Sequence, residues 1–235
     1  MKAMIVIPTY NEKENIVSLI PQVLAQDYGI EIVVVDDKSP DGTGALVEQM
    51  STDNRRVHLL KRPGKMGLGS AYISGFRYAL KRPDVECIFE MDTDFSHRPS
   101  HLPDFLQAAK EADVVLGSRY VKGGGVENWG MSRKVLSRGA SIFSRLMLAL
   151  PVSDCTGGFR CYRRRVLEAI DLDKITSEGF GFQVEMLHRC HKNGFTIREI
   201  PIVFPDRATG TSKMSKKIVF EAFFLVCRLR FSDRS

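Results

Sequence analysis

Three acids, Glu90, Asp92 and Asp94, close the segment IFEMDTDFSH at residues 88–97. On an extended chain residues i and i+2 point the same way, so the three carboxylates fall on one side, where like charges repel. A hard divalent cation relieves that repulsion. Mg²⁺ takes one or two carboxylates and completes its sphere with water and substrate phosphate, so Asp92 and Asp94 predict a metal–diphosphate site. The same spacing also occurs among solvated turn acids. Other candidates follow other apolar runs: Asp36–Asp37 after IVVV, and Ser118–Arg119 after VVLG. Asp36–Asp37 can cap a helix, or accept from a ribose hydroxyl or a base edge. KMGLGSAY, residues 65–72, does not match the phosphate-loop pattern and reads as a glycine turn into a helix. Arg133 and Ser137 stand i and i+4, which puts them on one helix face, and a guanidinium fork suits phosphate. A surface Arg beside a helix-stabilising neighbour explains the same pair. The histidines, His58, His97, His101, His188 and His191, read as surface or loop structure.

The elements that must position these residues alternate. Residues 3–7 form a buried strand stopped by Pro8, and a helix with apolar Ile16, Leu19, Ile20, Val23 and Leu24 follows, with Pro21 expected to kink or divide it. Strand 32–35, a helix near 42–50, strand VHLLKR, helix GLGSAYISGFRYAL, strand VECIFEMD, helix HLPDFLQAAKEA and strand DVVLGSRY continue the series. Such β-α-β-α order predicts an α/β layer fold with a mostly parallel central sheet flanked by helices. Ligands then bind beyond the carboxyl ends of the strands, where the acids and Arg119 should converge. Past Tyr120 the pattern loosens into a glycine-rich loop, a cationic amphipathic helix at 131–150, a loop DCTGGFRCYRR, a helix ending at Gly194, a late strand TIREIPIVF, a polar loop DRATGTSKMS and a final amphipathic segment.

With 235 residues, 43% of them hydrophobic, the chain can bury one sizeable core, and 26% charged residues do not mark a disordered protein. The net charge is +6, and residues 206–235 carry seven Lys/Arg against three Asp/Glu. A basic tail suits an anionic partner or is simply a solvated face. The basic residues do not interleave with exposed aromatics on a recognisable nucleic-acid module, so no nucleic-acid partner is expected. Five cysteines without a CxxC pair argue for reduced cytosolic thiols. The amino terminus does not read as a signal peptide, and no window reaches the roughly 18–20 apolar residues of a spanning helix.

Taken in order, IPTYNE at 7–12, VVVDDKSPDGT at 33–43, KMGLGSAY, MDTDFSH at 91–97, LGSRYVKGGG at 116–125, SRKVLSRGAS at 132–141, DCTGGFRCY at 154–162 and the R-x-x-G-x-SK loop at 207–213 strongly resemble the family 2 glycosyltransferases. Within them they resemble the dolichol-phosphate (polyprenyl-phosphate) mannose synthases, over almost the whole chain. The resemblance implies a GT-A domain at 1–215 followed by an amphipathic helix at 216–235. It implies inverting, metal-dependent transfer of mannose from GDP-mannose to a polyprenyl (dolichyl) phosphate, with Mg²⁺ or Mn²⁺. Pro8, Tyr10, Glu12, Val35 and Asp37 would bind the nucleotide, and Asp92, Thr93 and Asp94 the metal and diphosphate. Many relatives carry Gln where this chain has Ser96, which leaves a hydroxyl or water at that metal position. Arg119, Arg133 and Ser137 would grip the acceptor phosphate, while Arg207 and Lys213 would close over the donor diphosphate. Asp154 would bond sugar hydroxyls or cap a turn.

A lipid phosphate, with its second pKa near ~6, is largely dianionic at pH 7 and needs no strong general base. The final segment, Ile218–Leu229, is interrupted by Glu221 and Arg228 and is too short to span. It can lie in a headgroup layer, dock on the core, or meet small membrane-protein subunits. The expected place of work is the cytoplasmic face of a membrane, peripherally bound. Two alternatives stay open: the same scaffold with another donor such as UDP-glucose, and a non-catalytic nucleotide-sugar-binding subunit of a membrane complex.

Overall fold

A seven-stranded sheet organises the molecule. The structure is a computed structural model describing residues 1–27, 29–205 and 216–232, the last stretch with side chains only from Phe223 to Phe231. Strands and helices alternate through β1 (Ala3–Thr9), α1 (Lys13–Leu24), β2 (Ile30–Asp36), α2 (Thr43–Asp53), β3 (Val57–Lys61), α3 (Leu68–Leu80), β4 (Cys87–Glu90), α4 (Leu102–Ala108) and β5 (Val114–Ser118). A short β6 (Gly125–Val126), α5 (Met131–Leu148), β7 (Arg160–Arg163), α6 (Arg164–Ala169), α7 (Gly179–Lys192), β8 (Ile197–Pro201), β9 (Val203–Phe204) and α8 (Lys216–Ser232) complete it. The strand order is β3-β2-β1-β4-β7-β5-β8, and β6 pairs with β9 beside it.

The central strands are apolar on both faces because helices cover both. Along β1, Met4 and Val6 enter one core with Val33 and Val35 of β2. Ala3, Ile5 and Ile7 enter the opposite core with Ile32 and Val34. On the first face α3 lies close to β1 because Gly75 has no side chain: a Cβ there would sit 2.2 Å from Val6 Cγ1. The ring of Tyr72 stacks between Phe76 and Phe182, with centroids 6.2 and 5.9 Å away. Burying each such ring stabilises the fold by about 1.5–3 kcal/mol. Helix α1 continues through Pro21 as one element rather than dividing.

All pairings are parallel except those of β7, which runs antiparallel between β4 and β5. The segment read from sequence as the loop DCTGGFRCYRR therefore contains a central strand. Its four residues are too few to show a period, and two arginines disguise them. Register pairs Arg160 with Glu90 and with Leu116, so the start of β7 lies at the carboxyl ends of its neighbours. The antiparallel direction delivers residues 154–159 to that same edge. The late strand also differs from expectation: it breaks at Ile202 into β8 and β9.

Helix α8 packs on the domain. Leu225 and Val226 are buried, and Phe223 stacks on Phe143 of α5 at 5.0 Å. Among the described residues no helix is long and apolar enough to cross a membrane.

Candidate functional site

The carboxyl ends of β1, β2, β4 and β5 meet two cavities. One, of about 820 Å³, is lined by Pro8, Tyr10, Glu12, Asp37, Asp41, Lys65, Gly67, Asp92, Thr93 and Asp94 among others. The other, about 720 Å³, lies between α5, α7 and α8, and includes Asp92, His97, Arg119, Trp129, Arg133, Ser137 and Gln183 with a largely apolar remainder. Asp92 and Leu68 belong to both walls. Pro8, Tyr10, Glu12, Asp37, Asp92, Thr93 and Asp94 thus come together as the sequence led us to expect. Val35 does not line this cavity; its side chain is wholly buried in the core. Arg207 and Lys213 lie outside the described residues.

In the first cavity the polar groups are held from behind. Asp36 accepts from Thr9 Oγ1 at 3.0 Å and from Ser39 Oγ at 2.6 Å, tying the ends of β1 and β2. Asp37 takes a two-pronged ion pair from Arg62, with Nε at 2.5 Å and Nη2 at 2.7 Å. Asp41 accepts from the Thr43 amide at 3.0 Å at the start of α2; burial works against its charge, but the Thr43 hydroxyl and nearby amides hold its carboxyl below the usual range. At the mouth the Lys65 ammonium sits 4.5 Å from the exposed Tyr10 ring. The loops after β1, β2 and β4 carry Asn11, Lys38 and Phe95 at φ near +60°, a conformation costing of order 1–3 kcal/mol that clusters where function overrides comfort.

The acids after β4 do not follow strand alternation, because the strand ends at Glu90. Glu90 leaves the site altogether. It is fully buried, accepting from Tyr162 Oη at 2.8 Å and Gln183 Nε2 at 2.6 Å. Burial pushes its carboxyl up to about 7, against the pull of Arg160, Gln183 and Tyr162. Asp92 instead accepts from Tyr72 Oη at 2.7 Å, and its amide donates to His97 Nδ1 at 2.9 Å. Burial, reinforced by Asp92 and Glu90, raises the Tyr72 phenol well above its ordinary value, so it stays a donor. Asp94 accepts from Ser96 Oγ at 2.5 Å and from the Ser96 amide at 3.1 Å. Ser96 therefore orients Asp94.

Of the histidines expected as surface or loop structure, His97 stands in the loop after β4 but not at the surface. It is buried, stacked on Phe159 with centroids 4.9 Å apart. His188, on helix α7, is buried and so is neither surface nor loop. No signal in the sequence separates these two from the others, since burial depends on residues far along the chain, as Phe159 and Phe204 against His97.

As a metal site the pair offers hard carboxylate oxygens on an edge facing a cavity large enough for a nucleotide sugar. Among the described residues no three His, Cys, Asp or Glu side chains converge, and the two acids that line this cavity after β4 are Asp92 and Asp94. That set fits Mg²⁺ or Mn²⁺ completed by water and phosphate, and fits neither zinc nor copper.

In the second cavity Arg119 is bound by Asp154. Nε donates at 2.7 Å, Nη2 at 2.6 Å, and Nη2 also reaches Thr156 Oγ1 at 2.9 Å. Burial would raise the Asp154 carboxyl, yet the Arg119 guanidinium holds it below its ordinary value. Asp154 also accepts from the Gly157 amide at 3.1 Å, so it takes the turn-capping role. Arg133 lies 3.9 Å over the Trp129 ring, and Ser137 accepts from Tyr120 Oη at 2.7 Å. Arg119, Arg133 and Ser137 share this cavity, although Arg119 brings its counter-charge with it.

Comparison with known proteins adds to this geometry. The sequence model of glycosyl transferase family 2 matches residues 4–171. A polyprenol monophosphomannose synthase of Mycolicibacterium smegmatis is 45% identical over 227 residues, covering 96% of this chain and 85% of that protein. An undecaprenyl-phosphate mannosyltransferase of Micrococcus luteus is 46% identical over 234 residues, covering 100% and 96%. Among solved structures, a mannosyltransferase of Pyrobaculum calidifontis in complex with GDP-Man and Mn²⁺ superposes with a TM-score of 0.62 at 18% identity; the match covers 99% of this chain and 64% of that one. The glucosyl-3-phosphoglycerate synthase of Mycobacterium tuberculosis, with Mn²⁺, UDP-glucose and phosphoglyceric acid, gives 0.70 at 15% identity, covering 97% and 79%. At such identities these two structures speak for the fold alone.

Proposed function

Because this chain belongs to glycosyl transferase family 2, we propose that it transfers mannose from GDP-mannose to a polyprenyl phosphate, with inversion at the anomeric carbon. The observation that carries the reading is the position of Asp92, on the wall common to a polar cavity and a largely apolar one. The polar side suits a nucleotide sugar. The apolar side, bounded by Phe143, Phe180, Leu225 and Val226 with Arg133 and Ser137 at its polar end, suits a prenyl chain carrying a phosphate. A donor in one and an acceptor in the other would meet at Asp92.

Asp92 and Asp94 would hold a divalent cation, Mg²⁺ or Mn²⁺, which when bound offsets the charge of the departing diphosphate. The chain's own groups prepare that site. Tyr72 and the His97 ring fix Asp92, and Ser96 fixes Asp94. Tyr10 presents an exposed ring for the base, with Lys65 over it. Arg133 and Ser137 orient the acceptor phosphate, whose dianion attacks without a general base. In this proposal Arg207 and Lys213 add positive charge at the leaving diphosphate.

The lipid substrate requires access to a membrane, and we propose peripheral work at a cytoplasmic face. Helix α5 exposes Met131, Val135, Ile142 and Leu146 among Arg133, Lys134, Arg138 and Arg145, and α8 exposes Phe224 and Phe231. Apolar side chains interleaved with cations suit an anionic headgroup layer. Small membrane-protein subunits are a further candidate for the same face.

The test is transfer from labelled GDP-mannose to a short polyprenyl phosphate, read as a mild-acid-labile mannolipid, with UDP-glucose in a parallel arm. Reaction with the uridine donor alone would refute the mannose assignment.

A further inference from the structure

Helix α3 begins without a cap of its own. Gly67 stands at its N-cap with φ of 100° and no side chain to accept from the first amides, and the first turn holds no acid. The acceptor comes instead from Glu178, 109 positions along the chain from Gly69. Gly69 N donates to Oε2 at 2.8 Å, and Ser70 N to Oε1 at a longer 3.4 Å. These are the second and third amides of the helix, the two that an N-cap side chain ordinarily serves. Glu178 immediately precedes α7, yet its side chain makes no such bond to that helix. A negative group at this place also meets the positive end of the α3 dipole.

The glycines of KMGLGSAY make room for the contact. A Cβ on Gly67 would lie 2.5 Å from the Glu178 carboxylate carbon and from both its oxygens, and one on Gly69 would lie 2.6 Å from the Ser177 carbonyl oxygen. The glycine turn is therefore shaped to receive residues 177 and 178. A second charge holds the same turn: Arg62, paired with Asp37, donates to Gly67 O at 3.1 Å and to Ser70 Oγ at 2.8 Å. What the turn forms is the wall between the cavities. Gly67, Leu68 and Ala71 line the first cavity, and Leu68 lines the second as well. Gly179, Phe180 and Gly181, which follow Glu178 in the chain, line the second. Further along α3, Tyr72 donates to Asp92 and stacks on Phe182 of α7.

We propose that Glu178 is a positioning residue: by capping α3 it fixes the turn shared by the two cavities and, through Tyr72, the orientation of Asp92. The cap is a feature of the fold, and its consequence for a sugar nucleotide rests on the proposed function.

Wild type, E178A and E178Q test it. Glu178 is exposed, so neither substitution disturbs a core. E178Q removes the same charge as E178A but keeps an oxygen that can accept from Gly69, so the difference between the two isolates the cap. Binding of GDP-mannose and of UDP-glucose, with Mn²⁺ present, is measured by calorimetry, and amide hydrogen exchange is followed across residues 65–72. E178A should bind the preferred sugar nucleotide about fivefold more weakly, the worth of one helix cap, and exchange faster at Gly69 and Ser70. E178Q should stay within about twofold of wild type in affinity. In transfer assays the loss in E178A should fall on donor KM, whereas a cap serving stability alone would lower the urea midpoint and leave KM unchanged. Wild-type affinity in E178A overturns the proposal, even where exchange is faster, and so does equal weakening in E178Q. Should E178A not fold, E178D, which keeps the charge but draws the carboxylate back from Gly69, is judged by the criteria set for E178A. A wild-type preference for UDP-glucose refutes the mannose assignment, and the comparison of variants with that nucleotide still decides the role of Glu178.

Discussion

Asp154 closes a two-pronged ion pair on Arg119 across 35 positions of sequence, with contacts of 2.6 and 2.7 Å, at the end of β5. Both side chains are buried. Truncating one partner strands the other charge, so D154A should lose about 3–5 kcal/mol of stability in urea denaturation. Its folded carboxyl lies below the ordinary range, so the pair contributes fully above that range, and its contribution is lost as pH falls through the folded value. A D154A protein with a wild-type urea midpoint at pH 7 would contradict the pairing.

Glu90 carries the opposite sign. Its carboxyl is raised to about 7, so between the ordinary carboxylate range and 7 the folded chain keeps a proton that the unfolded chain has released. The associated stability is full below the ordinary range and disappears as pH rises through about 7, a change on the order of 3 kcal/mol. E90Q should flatten that slope. Urea midpoints at pH 5 and pH 8 for both proteins measure it, and identical slopes would remove Glu90 as the cause.

Tyr72 supports Asp92 through one hydroxyl while its ring sits in an aromatic stack. Y72F keeps the stack and removes the donor. Loss of such an outer contact lowers metal affinity or activity by about 10–100-fold, which a Mn²⁺ titration of transfer would read. Transfer by Y72F at the wild-type Mn²⁺ midpoint would show that Asp92 needs no such support.

Chelation should stop transfer, and Mg²⁺ or Mn²⁺ should restore it. D94A should fold normally and stay inactive at any metal concentration. Full activity in D94A would end the metal assignment.

On the outer face of α5 and α8, Leu146 is 75% and Phe224 67% exposed. L146E and F224E each place a negative charge on the surface proposed to meet lipid. Co-sedimentation with anionic vesicles should fall several-fold for each, and rising salt should weaken wild-type binding. Unchanged sedimentation in both would move the membrane contact elsewhere.

Local pattern accounts for most of what could be read in advance. The apolar periods of β1, β2, β4 and β5 marked strands, and strand ends marked Asp37, Asp92, Asp94 and Arg119 as neighbours, because parallel strands share one carboxyl edge. Arg133 and Ser137 were legible as a pair because residues i and i+4 share one face of a helix. Lys65 and Tyr72 lay inside a segment noted for its family pattern, but nothing local said that one would cover Tyr10 and the other hold Asp92.

By itself, then, the order of residues determined the alternation of elements, the edge where chemistry gathers, and the hard-oxygen character of the acids. Tertiary structure alone decided that β7 runs antiparallel and brings Asp154 to Arg119, that Glu90 turns inward to Tyr162 and Gln183, and that His97 and Trp129 are buried at the cavities. The physical reason is range. Periodicity is set by neighbours a few residues away, whereas burial and charge pairing depend on side chains that lie far off along the chain and meet only when the sheet is complete.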